Sequence, residues 1–577
     1  MEIQSKSNRT RRGTAVCIAI LLALFVLLCI RAPYGFDWTD EPYYSVLPYR
    51  LSLGDRPFVD TWEVHQLSGI LALPFLRLFQ LFSGGSTDGI MLYFRYVLLV
   101  VQLLCALYAF AVLRRRGGNA PALLFAGLTM MHAHFGINGF SYNTMAPLLV
   151  VLSALCCFDA LDGRHFPLKM LLSGMFYALS VQVYPYFVIS LPVWIVACLL
   201  WRKSAPGAKA VCRRAALYWL AGLAGTAILF LLYVFTKASP AELLSNISGL
   251  LGDPDHTSAN LLWVLANYCN ATRVLFGPVF IGAVLLFAVG LTAWLWKDPL
   301  RQQQLRRWGL LFALLLAALS VVWIIAYDYP NEHKINLAAM SLALLLPGLF
   351  CLSGGKPDRS LLLFFLGLAL SLAVQVGSNT RIRAASGALL PASLGTLLYL
   401  FDVSLRQWNS DRPNRGILFA AATLVCAAQL ALTTGLRLIT VYRDEPLPSL
   451  GTILSDGPAQ GIVTTGSNAA AYTALLSDLT ENAPESGSIL ITNLMPVGYL
   501  MTTLRPAAPS TFNMTMDAPW LIRYYELHPQ RRPDYIFAVT SAIGSGNELS
   551  LQGVNLLSSD YQRVETLSGT CFIRGGN

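Results

Sequence analysis

Between residues 37 and 44 the chain reads Asp37-Trp38-Thr39-Asp40-Glu41-Pro42-Tyr43-Tyr44, three carboxylates set among three aromatic rings. The segment follows directly on a long apolar run. Adjacent carboxylates beside rings at such a boundary are not explained by burial in a core. The chemistry open to them is proton transfer, since a positioned carboxylate can take a proton from a hydroxyl or an amine. The plainer alternative is a solvated loop whose Trp and Tyr sit at the headgroup level of a bilayer.

The elements that must hold this segment follow from composition. Of 577 residues, 55% are hydrophobic and only 12% charged, with mean hydropathy +0.55. Soluble domains carry roughly 25% charged residues. So much apolar surface needs lipid as its solvent. The net charge of +10 is then explained by membrane topology rather than by nucleic acid. Apolar runs near 14–31, 90–113, 121–137, 144–161, 168–183, 186–201, 215–236, 274–296, 308–326, 333–353, 360–376, 386–402 and 416–438 each fit a spanning helix, about thirteen in all. The stretch 66–82 contains Pro74, Arg77 and Gln80 and reads as an interfacial helix.

Charge supports this count. With a cytoplasmic N-terminus, clusters such as Arg114-Arg115-Arg116, Arg213-Arg214 and Arg306-Arg307 all fall inside, as the positive-inside bias requires. A span at 66–82 would put them outside. The first apolar run lacks a small-x-small cleavage site and reads as a retained helix. Residues 1–440 thus form a membrane domain with a first outside loop at 32–89. From about Tyr442 the composition shifts to Gly, Ser, Thr, Asn and Pro, with seven arginines, no lysine and twelve acids. Ser488–Thr492 and Tyr535–Val539 pattern as strands, Ala469–Leu479 and Pro496–Thr503 as helices. The expected fold is a polytopic all-α membrane protein with a small extracytoplasmic α/β domain at 441–577.

Asp40-Glu41-Pro42-Tyr43-Tyr44 after the first span, two amphipathic stretches (Pro48–Leu53 and Val64–Phe82), and Arg95 at the start of the next span together resemble the GT-C fold glycosyltransferases. Protein mannosyltransferases and aminoarabinose lipid A transferases are the relatives it is similar to. The resemblance implies transfer of a sugar from a polyprenyl-phosphate donor to an extracytoplasmic glycan, lipid or protein, with Asp40 as the catalytic carboxylate. A polyprenyl phosphate is already a good leaving group, so one base suffices, whereas glycosidases need two acids. Inversion is the expected stereochemistry. Glu41 either positions the acceptor or caps the following helix. Tyr44, His65, Arg95 and Asn143 are the expected substrate-cavity residues. Many relatives carry a second acid in the next outside loop, where His134-Phe135-Gly136-Ile137-Asn138-Gly139-Phe140-Ser141-Tyr142-Asn143 has none. A lipid phosphate also wants a cation. Lys334, Arg381 and Arg383 stand outside against the charge bias and are the candidates. The resemblance places the protein in a bacterial cytoplasmic membrane. No cofactor is firmly implied. A divalent metal is left open, with Asp40 and Glu41 as the hard ligands.

The rival readings are a transporter or flippase for a lipid-linked or anionic solute, and a polysaccharide polymerase or ligase of another fold. The first predicts ionisable residues at mid-span and paired repeats. The second predicts arginines clustered in a late outside loop. Neither pattern is present. His132 and His134 are spaced to point apart on a helix, Asp253-Pro254-Asp255-His256 reads as a turn, and the sequons at Asn246, Asn270 and Asn513 are of a number that chance supplies. The eleven cysteines lack CxxC pairs, with Cys269 and Cys571 expected on the oxidising side.

Overall fold

The computed structural model describes residues 2–63, 65–162, 165–203, 208–252, 260–378, 381–408, 415–484, 486–492, 494–512, 518–539 and 561–574. Asp253 to His256 and the Asn513 sequon lie outside the described residues. The chain opens with α1 (Glu2–Arg31), α2 (Asp40–Ser52), α3 (Gln66–Ser83), α4 (Ile90–Gly117) and α5 (Asn119–Met131). Next come α6 (Tyr142–Leu161), α7 (Phe166–Val183), α8 (Leu191–Lys203), α9 (Ala208–Phe235) and α10 (Pro240–Leu251). They are followed by α11 (Leu261–Leu295), α12 (Pro299–Ala326), α13 (Asn331–Ala343), α14 (Leu346–Leu352) and α15 (Ser360–Gly377). The helical part closes with α16 (Ile382–Ala388), α17 (Leu390–Tyr399), α18 (Leu405–Trp408) and α19 (Arg415–Ile439).

Among the described residues, ten helices are long and apolar enough to cross a membrane, or twelve if the two bent pairs α13–α14 and α16–α17 each make one span. The protein is an integral membrane protein. Helix α3 is one of the ten, at the lowest mean hydropathy of the set, 1.2, which it shares with α7. Two of the runs expected as spans, 121–137 and 186–201, form shorter apolar helices, Asn119–Met131 and Pro185–Trp201, whereas the stretch expected to lie on the membrane, 66–82, is long and apolar enough to cross it. The run expected at 121–137 stops early because the chain leaves the helix at His132, in extended backbone.

Close approach of small residues sets the helix packing. A Cβ on Gly174 of α7 would lie 1.9 Å from the Trp219 carbonyl oxygen of α9, and one on Gly222 would lie 2.0 Å from that of Leu171. Only glycine admits that crossing, the small-residue contact common between membrane helices. At one end of the bundle Arg115 and Lys169 meet Asp159, and Arg116 and Arg359 meet Asp162. Arg115, Arg116, Lys169 and Arg359, from three of the basic groups, thus lie together. The opposite end, called the loop face below, carries α2, α3, α10 and the C-terminal domain.

That domain contains a two-stranded ribbon, β1 (Thr452–Ile453) with β2 (Val463–Thr464), and helices α20 (Gly466–Glu481) and α21 (Ala518–Leu527). Its main sheet has the order β4-β3-β5-β7-β6. Strand β3 is Ser488–Ile491, β4 Arg505–Pro506, β5 Tyr535–Val539, β6 Tyr561–Glu565 and β7 Gly569–Arg574. The segment expected as a helix from Pro496 is a short 3-10 turn, Pro496–Leu500. Cys571, expected on the oxidising side, is buried in β7 with its Sγ 2.7 Å from the Tyr535 hydroxyl, whereas Cys269 is exposed.

The domain is bolted to the first loop by buried charge. Arg50 of α2 is 1% exposed and donates from Nε to Asp55 at 2.7 Å and from Nη2 to the carbonyls of Asp60 and Ala508 at 2.8 Å. Arg531 reaches Asp55 and Asp60, both at 2.8 Å. Burying these charges is tolerable because each is paired and hydrogen-bonded. Asn246 of α10, one of the sequons, is buried, accepting from the Trp62 indole at 2.9 Å and lying 2.8 Å from His528 Nε2.

Candidate active site

The carboxylate motif is the first turn of a helix, not a loop. Helix α2 begins at Asp40 itself, earlier than the amphipathic stretch at Pro48 suggests. Asp37 makes this start. Its Oδ2 accepts from the Glu41 amide at 2.9 Å and its Oδ1 from the Thr39 amide and hydroxyl at 3.0 and 3.1 Å. A carboxylate that accepts free amides of a first turn is a cap. Pro42 lies in that first turn, where a missing N–H costs nothing. Asp37 is buried, and burial followed by the charge of Asp40 pushes its carboxyl up to about 7.

Asp40 is held by residues from the far end of the membrane domain. The Tyr442 hydroxyl donates to its Oδ2, and Arg443 Nη1 lies 3.0 Å from the same oxygen. Burial raises the Asp40 carboxyl above the ordinary carboxylate range, while Arg443 and the Tyr442 hydrogen bond oppose the rise. Arg443 also donates to the Thr39 hydroxyl. Neither Tyr442 nor Arg443 stands out in the sequence reading. Arg443 does follow the last apolar run at the expected outer end, so the bias that singles out Lys334, Arg381 and Arg383 applies to it as well.

Glu41 is committed elsewhere. Its Oε2 accepts from Arg95 at 2.5 and 3.1 Å, and its Oε1 from the Asn138 amide at 3.0 Å. Arg95 is 2% exposed and donates from Nη1 to the Ala32 carbonyl and from Nη2, which it shares with Glu41, to the Gly35 carbonyl, both at 2.6 Å. The structure therefore corrects the expectation that Arg95 lines the substrate cavity. It is a buried clamp that fixes α2 against the end of α1, and Glu41 is its anchor. A reacting role for Glu41 would first require breaking that clamp.

An aromatic wall surrounds Asp40. Tyr44 stands edge-on to Tyr142 at 5.6 Å, and His65 stacks on the other side of Tyr142 at 3.8 Å and 11°. Tyr44, Tyr142 and Tyr442 are all within electrostatic reach of Asp40. Asn143 is half-buried, with its side chain bonded to the Tyr142 hydroxyl and its backbone to His132. Tyr43 packs on Phe512 of the C-terminal domain at 4.7 Å. Glu63 positions that segment by accepting from the Thr511 amide and hydroxyl at 2.5 and 3.0 Å. The domain thus supplies part of the wall.

The three expected phosphate cations are not equivalent. Arg383 is exposed and within electrostatic reach of His333, whose neighbour Glu332 feels Arg443. Lys334, on the same first turn of α13, makes no ion pair among the described residues. Arg381 lies over the Trp263 ring, 4.1 Å from its centre, in an open depression of about 560 Å³ that Asn260 and Leu262 also line. No contact among the described residues joins it to the Asp40 group. As to a metal, no group of three or more His, Cys, Asp or Glu among the described residues is arranged to hold one. Asp37 is spent on capping and Glu41 on Arg95, so Asp40 is left as a single hard ligand.

Comparison with solved structures gives fold-wide but distant likenesses. The chain is similar to the archaeal oligosaccharyltransferase AglB from Archaeoglobus fulgidus in complex with an inhibitory peptide and a dolichol-phosphate, at 12% identity and TM-score 0.44, covering 97% of this chain and 74% of that one. Against the apo form of the Archaeoglobus fulgidus oligosaccharyltransferase the values are 14% and 0.48, over 95% and 73%. ArnT from Cupriavidus metallidurans in the apo state gives 11% and 0.43, over 97% of this chain and 99% of that one. No family profile matches this chain, and no curated protein does.

Proposed function

We propose that this protein is a membrane glycosyltransferase that moves one sugar from a polyprenyl-phosphate carrier to an acceptor at the loop face. The observation that carries the reading is the setting of Asp40. It is the carboxylate of its cluster that neither caps the helix nor meets Arg95, in the buried first turn of α2, among aromatic rings and beside a bundle of apolar helices. In the reaction, an acceptor hydroxyl or amine attacks the anomeric carbon and the bond from that carbon to the phosphate oxygen breaks. The polyprenyl phosphate leaves with the electron pair, and Asp40 takes the acceptor's proton. A single displacement of this kind inverts the anomeric centre. Tyr44, Tyr142 and His65 would stack against the sugar, with Asn143 beside them. Arg383, Lys334 and Arg381 remain the phosphate anchors the reading calls for. In this reading the N-terminus lies in the cytoplasm and the loop face outside, in keeping with the charge bias, and the membrane is a bacterial cytoplasmic membrane.

The test is donor consumption in proteoliposomes. A panel of radiolabelled polyprenyl-phosphate sugars is supplied together with cell-envelope glycan, lipid and peptide acceptors. Release of label from one donor, with polyprenyl phosphate as co-product, is the expected result. Failure to consume any donor with every acceptor class would overturn the reading.

A further inference from the structure

Among the described residues, Arg443 is the only cation that touches Asp40, and it is the more exposed member of the pair. The Arg443 side chain is 44% exposed against 13% for Asp40. Arg443 has φ +52°, a left-handed backbone that L-residues rarely adopt. The backbone on either side is pinned. The Thr440 carbonyl accepts from Arg31 at 2.6 Å, and Asp444 accepts from the Phe36 amide at 2.8 Å, from Thr464 at 2.6 Å and from Asn468 at 2.8 Å. Residues 440–444 are therefore a strap tied to the first loop and to the C-terminal domain, and the freedom left at Arg443 is in its side chain.

The charges around that side chain are unbalanced. Asp37, Asp40 and Glu41 crowd the start of α2. Arg95 answers Glu41, which leaves Arg443 alone facing Asp37 and Asp40. While paired with Arg443 and bonded by Tyr442, Asp40 is a poorer proton acceptor than it would be alone. A planar guanidinium binds a phosphate through two parallel hydrogen bonds, a better geometric match than its single contact with Asp40.

Resting on the glycosyl-transfer reading, we infer that Arg443 is an exchangeable latch that pairs with Asp40 in the resting protein and turns to the donor phosphate when the lipid arrives. The exchange couples two events. Binding the donor places a cation on the departing phosphate and at the same time frees Asp40 to accept the acceptor's proton. Arg443 is then a binding residue for the donor, and the base is unmasked only when a donor is present.

The experiment measures binding rather than turnover. Farnesyl phosphate, a short polyprenyl phosphate, is titrated into the full-length protein in nanodiscs for wild type, Asp40→Asn, Arg443→Gln and the double variant. If the two anions compete for Arg443, Asp40→Asn binds on the order of tenfold more tightly than wild type. Arg443→Gln binds more weakly, and the double variant shows none of the gain. Arg443→Lys keeps the charge and should retain part of the gain, and thermal unfolding confirms that each variant is folded. Unchanged affinity in Asp40→Asn, or a gain that persists in the double variant, would overturn the latch while leaving the donor reading intact. Absence of binding in every variant would overturn both.

Discussion

Arg95 places two nitrogens on a single oxygen of Glu41, at 2.5 and 3.1 Å, and both residues are almost completely buried. One arginine of α4 thereby fixes the first turn of α2, and with it the direction in which Asp40 points. Removing one partner leaves the other as an uncompensated buried charge. Arg95→Ala should therefore lower stability by about 3–5 kcal/mol. The double variant Arg95→Met, Glu41→Gln should lose less than Arg95→Ala alone. Thermal unfolding in detergent checks both, and a double variant no more stable than Arg95→Ala would count against the clamp.

The acid cluster gives a pH dependence with a definite sign. The Asp37 carboxyl is pushed up to about 7 by burial and then by Asp40, against an unfolded value of about 3.9. A carboxyl raised in this way binds its proton more tightly in the folded state. Its contribution to stability is complete below about pH 4 and is lost as pH rises through about 7. Asp37→Asn should flatten the fall in unfolding temperature across that window. A slope identical to wild type would contradict the assignment.

Activity should respond in the opposite sense, because a base must be ionised. Asp40 faces Asp37, Glu41, Arg443, Tyr442, Tyr44 and Tyr142, and its carboxyl is raised by burial but restrained by Arg443 and Tyr442. Asp37 and Asp40 titrate as a pair. The acid limb of the kcat/KM profile, which reports the protein before donor binds, should sit above the ordinary carboxylate range. Arg443→Gln and Tyr442→Phe should each move it to higher pH, and a limb that stays in place in both would remove Asp40 from the chemistry.

The buried pairs of Arg531 with Asp55 and Asp60 tie the C-terminal domain to the first loop. Arg531→Ala removes one of two cations from each acid, since Arg50 still meets Asp55 and Arg56 still meets Asp60. It should cost about 1.5–3 kcal/mol and raise amide exchange at Trp62 and Thr511, whose amides bond the Pro509 carbonyl and the Glu63 carboxylate across the junction. Exchange unchanged at both positions would show that the domain is held by other contacts.

Much of this was open to the sequence because lipid imposes simple rules. Long apolar runs suffice for most of the helical segments, and Arg115, Arg116, Lys169 and Arg359 do lie together. The motif at Asp40 was visible by its place after the first run. What could not be read was partnership across the chain. Glu41 and Arg95 are 54 positions apart and Asp40 and Tyr442 are 402 apart, so no local pattern joins them. Arg95, expected in the substrate cavity from its place at the start of a span, is a buried clamp by its contacts. The edge hairpin β6–β7 was missed because its strands are short and part-polar, without clear alternation.

The central claim is that Asp40 accepts the proton during sugar transfer from a polyprenyl-phosphate donor. Its most direct test is the transfer rate of Asp40→Asn against wild type in proteoliposomes with a consumed donor. Asparagine keeps the shape and the Tyr442 contact but cannot take the proton, so the rate should fall by about 10²–10⁴-fold with the unfolding temperature little changed. A folded Asp40→Asn protein that transfers sugar at the wild-type rate would contradict the account.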